Sequence, residues 1–456
     1  MTEQLHQRLA DLAGDAASPA PVDPAGLWRT GKRRQRRRTA AAAVAACAVV
    51  MAGISGAGLL VPSADLVGEP SATNTAPALP DRLYAPARWL ESNDDDPVGP
   101  FAVLAEDQNG GSSEMKVYVG VSATTGEYRR IELPWVGEAE FGPMGGAAVL
   151  SPSGRYIAYW TSADSRAGGR PAVYDTVTGR DRLSGWELED APEAPYGLSL
   201  WDLRWLDDTR FYLQAGEIQG APGTEDASGS RITGAGWVFD LAEKQGLAEQ
   251  LEVPGAAKAG DVLASDGAGH LLVRAKGKGN GYLLVDPARP AEARAVKVVS
   301  GEGGTGGVVR ASRDGRVAMA TQSSEGNPVL GVTQVDGSHR LFETVPAWDV
   351  YGWSDETHVV VGVTTPLDDN TSKAAIVEVD VTTGTSTRRL EARPIVALPD
   401  SGLNPPQLAT GLLGVPTVHR GEPDWPTDPR VFGALGAGAL VLLLTALRIW
   451  RRREQR

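Results

Sequence analysis

The sequence has few of the residues with which disulfide-linked domains and zinc sites are built. Only one of its 456 residues is a cysteine, and five are histidines. A single cysteine excludes a disulfide framework and a cysteine-based structural zinc site. The histidines form no H-x-x-x-H or H-E-x-x-H pair, so the sequence carries no zinc-hydrolase motif.

Motifs for nucleotide binding and for serine hydrolysis are also missing. The sequence contains no G-x-x-x-x-G-K-[ST] phosphate loop and no G-x-S-x-G nucleophile elbow. We therefore expect a protein that is not an enzyme and that uses no cofactor or catalytic metal. One enzymatic alternative stays open, because a fold can bring together the paired carboxylates of a glycoside hydrolase without any local motif.

The charge of the chain is unevenly distributed. The net charge is −13 overall, but residues 39–447 hold 31 basic and 52 acidic residues, a net charge of −21. An acidic surface repels the phosphates of nucleic acids, so nucleic-acid binding is excluded as a function. Of the 44 basic residues, 36 are arginine, a bias that is typical of GC-rich bacterial genomes.

Two apolar segments, one near each end of the chain, are long enough to cross a membrane. Residues 39–61 carry no charge, and residues 431–447 are followed by Arg448, Ile449 and Trp450, which suit the membrane interface. By the positive-inside rule both termini are cytoplasmic, and residues 62–430 lie outside a bacterial plasma membrane. The basic residues that set this orientation are Arg36, Arg37, Arg38, Arg451, Arg452 and Arg453.

The first apolar segment has two other interpretations. A cleaved signal peptide needs an A-x-A-like site, which Pro62-Ser63-Ala64 fits poorly. Lipid attachment at Cys47 requires the cysteine to end the apolar stretch, whereas residues 48–61 continue it. We therefore expect an uncleaved membrane helix in which Cys47 is buried.

Between the two apolar segments, short β-type runs recur and are separated by turns rich in Gly, Asp and Ser. An apolar run leads into a Ser-x-(Asp/Ser)-Gly-like turn, a second run follows, and a third run ends in an Asp-containing turn. Six such copies between residues 100 and 391 average about 49 residues, the length of a four-stranded propeller blade. The copies begin near residues 101, 147, 203, 262, 308 and 351.

One copy carries a resemblance to known proteins. The stretch SPSGRYIAY (151–159), followed by VYDTVTG (173–179), resembles a blade of TolB-type or WD-repeat β-propellers. The resemblance covers about 300 residues and implies an all-β propeller with six blades, or seven if residues 82–99 and 392–425 combine into a further blade. It implies an architecture and no particular activity. Together with the arginine bias it suggests a membrane-anchored propeller protein of actinobacterial origin.

These observations predict a domain map in which an all-β ectodomain is flanked by two transmembrane helices. The predicted segments are a cytoplasmic basic tail (1–38), a transmembrane helix (39–61), a linker with a possible ring-closing strand (62–99), the propeller repeats (100–391), closing strands with a Pro-rich linker (392–430), a second transmembrane helix (431–450) and a basic tail (451–456).

A long polar insertion at residues 216–236 interrupts the repeat, and insertions in repeat proteins map to loops that often bind partners. Two further long polar loops are expected at residues 162–171 and 364–373. We predict non-catalytic capture of an unidentified envelope protein or glycan. Alternatives are an enzyme acting on cell-wall glycan and a transmembrane signalling protein. The candidate binding residues are Glu217, Gln219, Glu225, Asp226 and Arg231.

Two other groups of residues have ordinary structural interpretations. His270 and His358 occupy matching places in two copies, which is first of all a regularity of the repeat. The acidic stretches 93–96 and 368–370 lack the spacing of an EF-hand calcium loop. We therefore expect solvated loops and no metal site.

Overall fold

Short runs of β-branched and aromatic residues form strands throughout the central region. The computed structural model describes residues 76–421 and 423, with gaps at 85, 87–88, 113–114, 135–147, 163–168, 184–186, 189–197, 220–228, 243–246, 257–261, 277–280, 298–308, 369–370, 393–405 and 422. The two predicted membrane segments, both basic clusters and Cys47 lie outside the described residues. Among the residues that are described, no helix is long and apolar enough to span a membrane.

The strands are numbered in chain order. They are β1 (Arg82–Leu83), β2 (Phe101–Ser112), β3 (Met115–Ser122), β4 (Tyr128–Pro134), β5 (Ala148–Leu150), β6 (Tyr156–Ser162), β7 (Gly169–Asp175), β8 (Arg180–Leu183), β9 (Glu187–Leu188), β10 (Leu198–Trp205), β11 (Arg210–Gln219), β12 (Gly229–Asp240), β13 (Leu247–Gln250), β14 (Val262–Ser265), β15 (Leu271–Arg274), β16 (Gly281–Val285), β17 (Arg294–Lys297), β18 (Val309–Ala311), β19 (Val317–Gln322), β20 (Pro328–Thr333), β21 (His339–Phe342), β22 (Ala347–Trp353), β23 (His358–Asp368), β24 (Thr371–Asp380), β25 (Ser386–Ala392) and β26 (Gln407–Leu408). Two short 3-10 turns cover Pro290–Glu292 and Thr410–Leu412.

These strands form six sheets, the blades of a six-bladed propeller, which confirms the all-β architecture expected from the repeat. All pairs are antiparallel except β1–β25 and β9–β13, which are parallel. Blade 1 has the order β26-β2-β3-β4, blade 2 the order β5-β6-β7-β8 and blade 3 the order β10-β11-β12-β13-β9. Blade 4 comprises β14 to β17, blade 5 comprises β18 to β21, and blade 6 has the order β22-β23-β24-β25-β1.

The ring closes with strands from both ends of the repeat region. Strand β26 forms the innermost strand of blade 1, where Leu408 pairs with Val103 and Gln407 with Leu104. Strand β1 lies parallel to β25 at the outer edge of blade 6. The flanking segments therefore complete blades 1 and 6, and they do not build the seventh blade that the sequence left open.

The Asp and Ser residues of the repeat hold its turns. After each of five innermost strands, a side-chain oxygen accepts N–H groups from the start of the next strand, for example Tyr156 N–H to Ser151 Oγ at 3.0 Å. The other four residues in this role are Asp207, Asp266, Ser312 and Asp355. At the end of the third strand of each of these blades, or within three residues after it, an aspartate accepts the N–H two residues later: Asp175, Asp240, Asp286, Asp336 and Asp380.

Aromatic and aliphatic side chains fill the spaces between neighbouring blades. Trp205 of blade 3 stacks on Tyr156 of blade 2 with ring centroids 6.2 Å apart, and its indole N–H donates to the Val149 carbonyl at 2.9 Å. Trp237 is fully buried in the same cluster. Trp353 of blade 6 donates to the Arg310 carbonyl of blade 5 at 3.4 Å. Each buried aromatic side chain contributes about 1.5–3 kcal/mol to stability.

Gly154 permits a close backbone contact between blades 1 and 2. Its φ is +76°, and a Cβ at this position would lie 1.8 Å from the carbonyl oxygen of Phe101. The Phe101 N–H also donates to the Gly154 carbonyl at 2.9 Å. Since neither backbone can move away without breaking this contact, only glycine fits here.

We expect Gly154→Ala to lower the free energy of unfolding by about 2–4 kcal/mol, because it adds a backbone clash to the strain of a positive φ. Gly326 is the matched control, since its φ is +81° and a Cβ there meets nothing within 4 Å. Gly326→Ala should cost only about 1 kcal/mol, from φ strain alone. Urea denaturation of both variants measures the difference, and equal losses would show that the contact does not constrain the fold.

Candidate functional site

The direction of the strands gives the propeller two distinct faces. In every blade the innermost strand runs toward the same end of the ring, where the Ser- and Asp-containing turns lie. We call this end the turn face. The opposite end carries the hairpin connections between the second and third strands of each blade and the connections from one blade to the next. We call it the loop face.

A cavity of about 360 Å³ lies where the innermost strands surround the axis. Residues from all six blades line this central channel, and most innermost strands contribute apolar side chains or backbone to its wall. Six acidic or basic residues also line it: Glu106, Asp202, Arg204, Asp266, Arg310 and Asp349. Ionisable groups in an enclosed channel need partners or a ligand, because removing them from water is costly.

The two arginines of the channel differ in their partners. Arg204 Nε lies 2.6 Å from Asp202 Oδ2, so that this pair neutralises itself within blade 3. Arg310 of blade 5 donates only to backbone carbonyls, from Nε to Tyr351 O at 3.3 Å and from Nη1 to Val309 O at 3.1 Å. It forms no ion pair with the carboxylates of the described residues. Its enclosure lowers the pKa of the guanidinium.

Asp349 lies near Arg310 without forming an ion pair with it. Its Oδ1 accepts the N–H of Val350 at 2.7 Å. Enclosure raises the pKa of the Asp349 carboxyl above its ordinary value, although the charge of Arg310 and the bond from Val350 oppose this shift. The neutral form of this carboxyl is therefore favoured more than in water.

Two tyrosine hydroxyls at the channel have no hydrogen-bond partner among the described residues. Tyr351 of blade 6 is 4% exposed and Tyr118 of blade 1 is 2% exposed; both residues belong to the cavity lining, but both hydroxyl oxygens are inaccessible to solvent. Burial raises the pKa of both phenols, and the charges of Asp349 and Glu106, respectively, raise it further. Buried hydroxyls without a partner are unusual in proteins and call for an explanation.

The segment that follows β26 covers the channel at the turn face. Gly411 N–H donates to the Pro152 carbonyl of blade 2 at 2.8 Å. Thr410 Oγ1 lies 2.9 Å from a Cβ built on Gly267 of blade 4, and Leu413 packs equally closely on Gly352 of blade 6. Blade 4 lies opposite blade 1 in a ring of six, so the 3-10 turn Thr410–Leu412 crosses the axis. We call residues 409–415 the plug segment.

The chain topology places the three predicted binding loops on the loop face. Glu217 and Gln219 lie near the end of β11, and Arg231 lies near the start of β12, with Glu217 and Arg231 as Cα partners. Glu225 and Asp226 lie outside the described residues. The hairpins β6–β7 and β23–β24 hold the other two loops at the same end. The hairpins that hold the predicted loops thus lie around the axis of the channel. The role of the loops stays a prediction.

His270, His358 and Asn93 have structural hydrogen-bond partners, whereas Asp369 and Asn370 of the second acidic stretch lie outside the described residues. His270 Nδ1 lies 2.7 Å from Asp266, and His358 Nδ1 lies 3.0 Å from Asp355, so each ring is bound within its own turn. Asn93 is fully buried and donates to the Tyr174 hydroxyl and the Thr176 carbonyl, both at 2.9 Å. Within the described part of the chain, no group of three or more His, Cys, Asp or Glu side chains is placed to hold a metal ion.

Sequence reasoning did not identify the ionisable groups of the channel. One feature could have indicated them, because Arg204 and Arg310 occupy matching positions within the innermost strands of blades 3 and 5. An arginine between apolar residues of a central strand is unusual in a packed β-sheet. The sequence around Tyr351 and Asp349 shows no comparable pattern.

Several solved structures are similar to this chain. The chain is similar to a putative TolB from Agrobacterium tumefaciens (12% identity, 54% of this chain and 80% of that one, TM-score 0.31). It is also similar to the β-propeller domain of the Trilobed protease from Pyrococcus furiosus (13%, 67% and 84%, 0.36). A third similarity is to prolyl oligopeptidase B from Galerina marginata (12%, 62% and 39%, 0.38). No protein-family model matches the chain, and no curated protein matches it either.

Two histidines should titrate on opposite sides of the ordinary value of 6.5. The hydrogen bond that the Asp355 carboxylate accepts from the His358 ring raises the pKa of His358, whereas burial lowers the pKa of His339. The contact between His358 and Asp355 therefore stabilises the fold below pH 6.5, and this contribution is lost as the pH rises through the folded pKa. NMR titration measures both values.

Asp355→Asn should return the pKa of His358 toward 6.5 and leave His339 unchanged. A His358 pKa that is insensitive to this substitution would contradict the assigned cause.

Proposed function

We propose that this protein is a membrane-anchored, extracytoplasmic propeller that binds an envelope protein or glycan without catalysis. The observation that carries the proposal is the arrangement of its hairpins. The strand pairs that flank the three polar loops predicted from the sequence end at the loop face, around a channel whose opposite end is covered by the plug segment. Convergent loops from several blades form a typical binding surface in repeat proteins.

The two ends of the propeller lie together at the turn face, which supports the proposed anchoring. Pro80 and Val418 form a parallel bridge, and Asp81 N–H donates to the Val418 carbonyl at 3.0 Å. Arg420 Nη2 donates to the Thr124 carbonyl, in the turn between β3 and β4, at 2.6 Å. Linkers to two membrane spans would therefore leave from one place, so that the turn face lies toward the membrane and the loop face points away from it.

The proposed topology can be tested by labelling introduced cysteines. In a Cys47→Ser background, Val335→Cys places a thiol at a residue that is 55% exposed, and Ser18→Cys places one in the N-terminal tail. We expect a membrane-impermeant maleimide to label the first variant in intact bacteria and the second only after lysis. Labelling of Ser18→Cys in intact cells would contradict the orientation and with it the anchoring proposal.

The binding surface can be located with photo-crosslinking residues in the full-length chain. Gln219 and Glu325 lie at hairpins of the loop face, and Asp336 lies in a turn of the turn face. We expect an envelope adduct from the first two positions and none from Asp336. The same adduct from Asp336 alone would place the binding surface on the turn face. Removal of residues 220–228 should abolish the adduct at Glu325 if the long hairpin contributes to binding.

One observation favours catalysis as a second candidate function. Four carboxylate residues line the channel, and the pKa of one of them, Asp349, is raised. A carboxyl with a raised pKa beside an ionised carboxylate is the usual arrangement for hydrolysis of a glycosidic bond. Turnover of a cell-wall glycan that is lost in Asp349→Asn and kept in Asp314→Asn would replace the binding proposal by this one.

A further inference from the structure

We propose that the central channel binds a small zwitterion, an amino acid whose carboxylate contacts the guanidinium of Arg310 and whose ammonium group contacts the carboxylate of Asp349. This site goes beyond the function proposed for the loop face and does not depend on it. It is a second ligand site, on the axis of the ring.

Arg310 and Asp349 each keep an unbonded, accessible polar atom. Arg310 donates from Nε and Nη1 to backbone carbonyls, and Asp349 accepts the Val350 N–H at Oδ1. Arg310 Nη2 and Asp349 Oδ2 have no hydrogen-bond partner among the described residues. Neither atom belongs to the buried atoms that lack a partner, which include the hydroxyls of Tyr118 and Tyr351. Since both residues line the cavity, these two atoms are open to it.

The two groups are close enough for one small ligand to contact both. Arg310 lies on β18 of blade 5, and Asp349 lies on β22 of the neighbouring blade 6. The charge of each residue influences the pKa of the other, although the side chains form no ion pair. A carboxylate binds a guanidinium through charge-assisted hydrogen bonds, and an ammonium group binds a carboxylate in the same way. A zwitterion therefore supplies a partner to each of the two groups.

The charges of the cavity lining favour a ligand that carries both signs. Four carboxylate residues and two arginines line the cavity. Asp202 is paired with Arg204 at 2.6 Å, and the Asp266 side chain, which is 1% exposed, is bound within its own turn. A simple anion would meet the excess of carboxylates, and a simple cation at Asp349 would lie near Arg310. A zwitterion satisfies both groups and adds no net charge to the channel.

The size and cover of the channel restrict the ligand. A volume of about 360 Å³ is at the lower end of the range for small-molecule sites. The plug segment covers the turn face, so the ligand enters from the loop face. The small volume favours a free amino acid over a peptide. An α-amino acid and an ω-amino acid differ in the separation of their two charges, and the experiment distinguishes them.

Calorimetric titration of the full-length protein in detergent tests the inference with two zwitterions, alanine and 4-aminobutyrate. Propionate and butyrate lack the amine of these probes, and alaninamide and butylamine lack the carboxylate. We expect at least one zwitterion to bind at millimolar concentration. Loss of either charged group should weaken its binding at least tenfold, because charge-assisted hydrogen bonds are lost. Binding of alanine indicates an α-amino acid, and binding of 4-aminobutyrate alone indicates an ω-amino acid.

Two variants assign each charge of the ligand to its residue. Arg310→Gln should weaken binding of the zwitterion at least tenfold and remove its advantage over the amine probe. Asp349→Asn should instead remove its advantage over the acid probe. A merely structural role of either residue would weaken all probes alike. The matched controls are Arg289→Gln and Glu292→Gln, which remove the same kinds of group from an exposed ion pair of blade 4 and should leave the affinities unchanged.

Failure of this inference can be separated from failure of the proposed function. Equal affinity for a zwitterion and either of its analogues, unchanged affinity in Arg310→Gln or Asp349→Asn, or no binding of either zwitterion at millimolar concentration would overturn the channel site. If neither variant folds, the comparison of the probes on the unaltered chain decides the question. The photo-crosslink at Gln219 reports the loop face, so an adduct that persists while no zwitterion binds refutes the channel site alone.

Discussion

Closure of the ring by β26 is the contact on which the rest of the structure depends. This strand has only two residues, yet it supplies the innermost position of blade 1 and pairs with β2, about 300 residues earlier in the chain. The Gln407 side chain extends the closure to blade 2, since it accepts from the Leu150 N–H at 2.9 Å and donates to the Ala148 carbonyl at 2.8 Å. The Gln407 side chain thus forms with blade 2 two hydrogen bonds of the kind that a paired strand forms.

The blades were predictable from the sequence because their turns are held by local interactions. A Ser or Asp that accepts an N–H two to five residues later leaves a pattern in the sequence, whatever the rest of the chain does. The strand that closes the ring, β26, leaves no such pattern in the sequence. Gln407 and Leu408 lie in a Pro-rich stretch and form a strand too short to show a period of two, and their partner is far away in the chain. The number of blades therefore stayed open until the structure showed where this strand lies.

The same distinction between local and distant contacts applies to the candidate site. The hairpins of the loop face could be predicted, because an insertion of polar residues interrupts a regular repeat and alternation of strands fixes which end it occupies. The channel could not, since Asp202, Arg310, Asp349 and Tyr351 come from three blades and meet only when the ring is closed. Asn93 gives a similar lesson: in an acidic stretch expected to be solvated, it is fully buried, because Tyr174 and Thr176 of blade 2 accept its amide.

One short part of the chain both closes the ring and covers the channel. The residues after β26 first form the plug segment and then run beside residues 78–81 to the turn between β3 and β4. In the anchoring proposed above, a pull transmitted by either linker would act first on the two ends of the propeller, which are bonded to each other and to blade 1. Apart from β26, the channel wall is built mainly from the innermost strands of the five other blades, which would bear that load only after the bonded ends had opened. A propeller anchored in this way would stay tethered at its turn face while the loop face and the channel keep their geometry for a ligand.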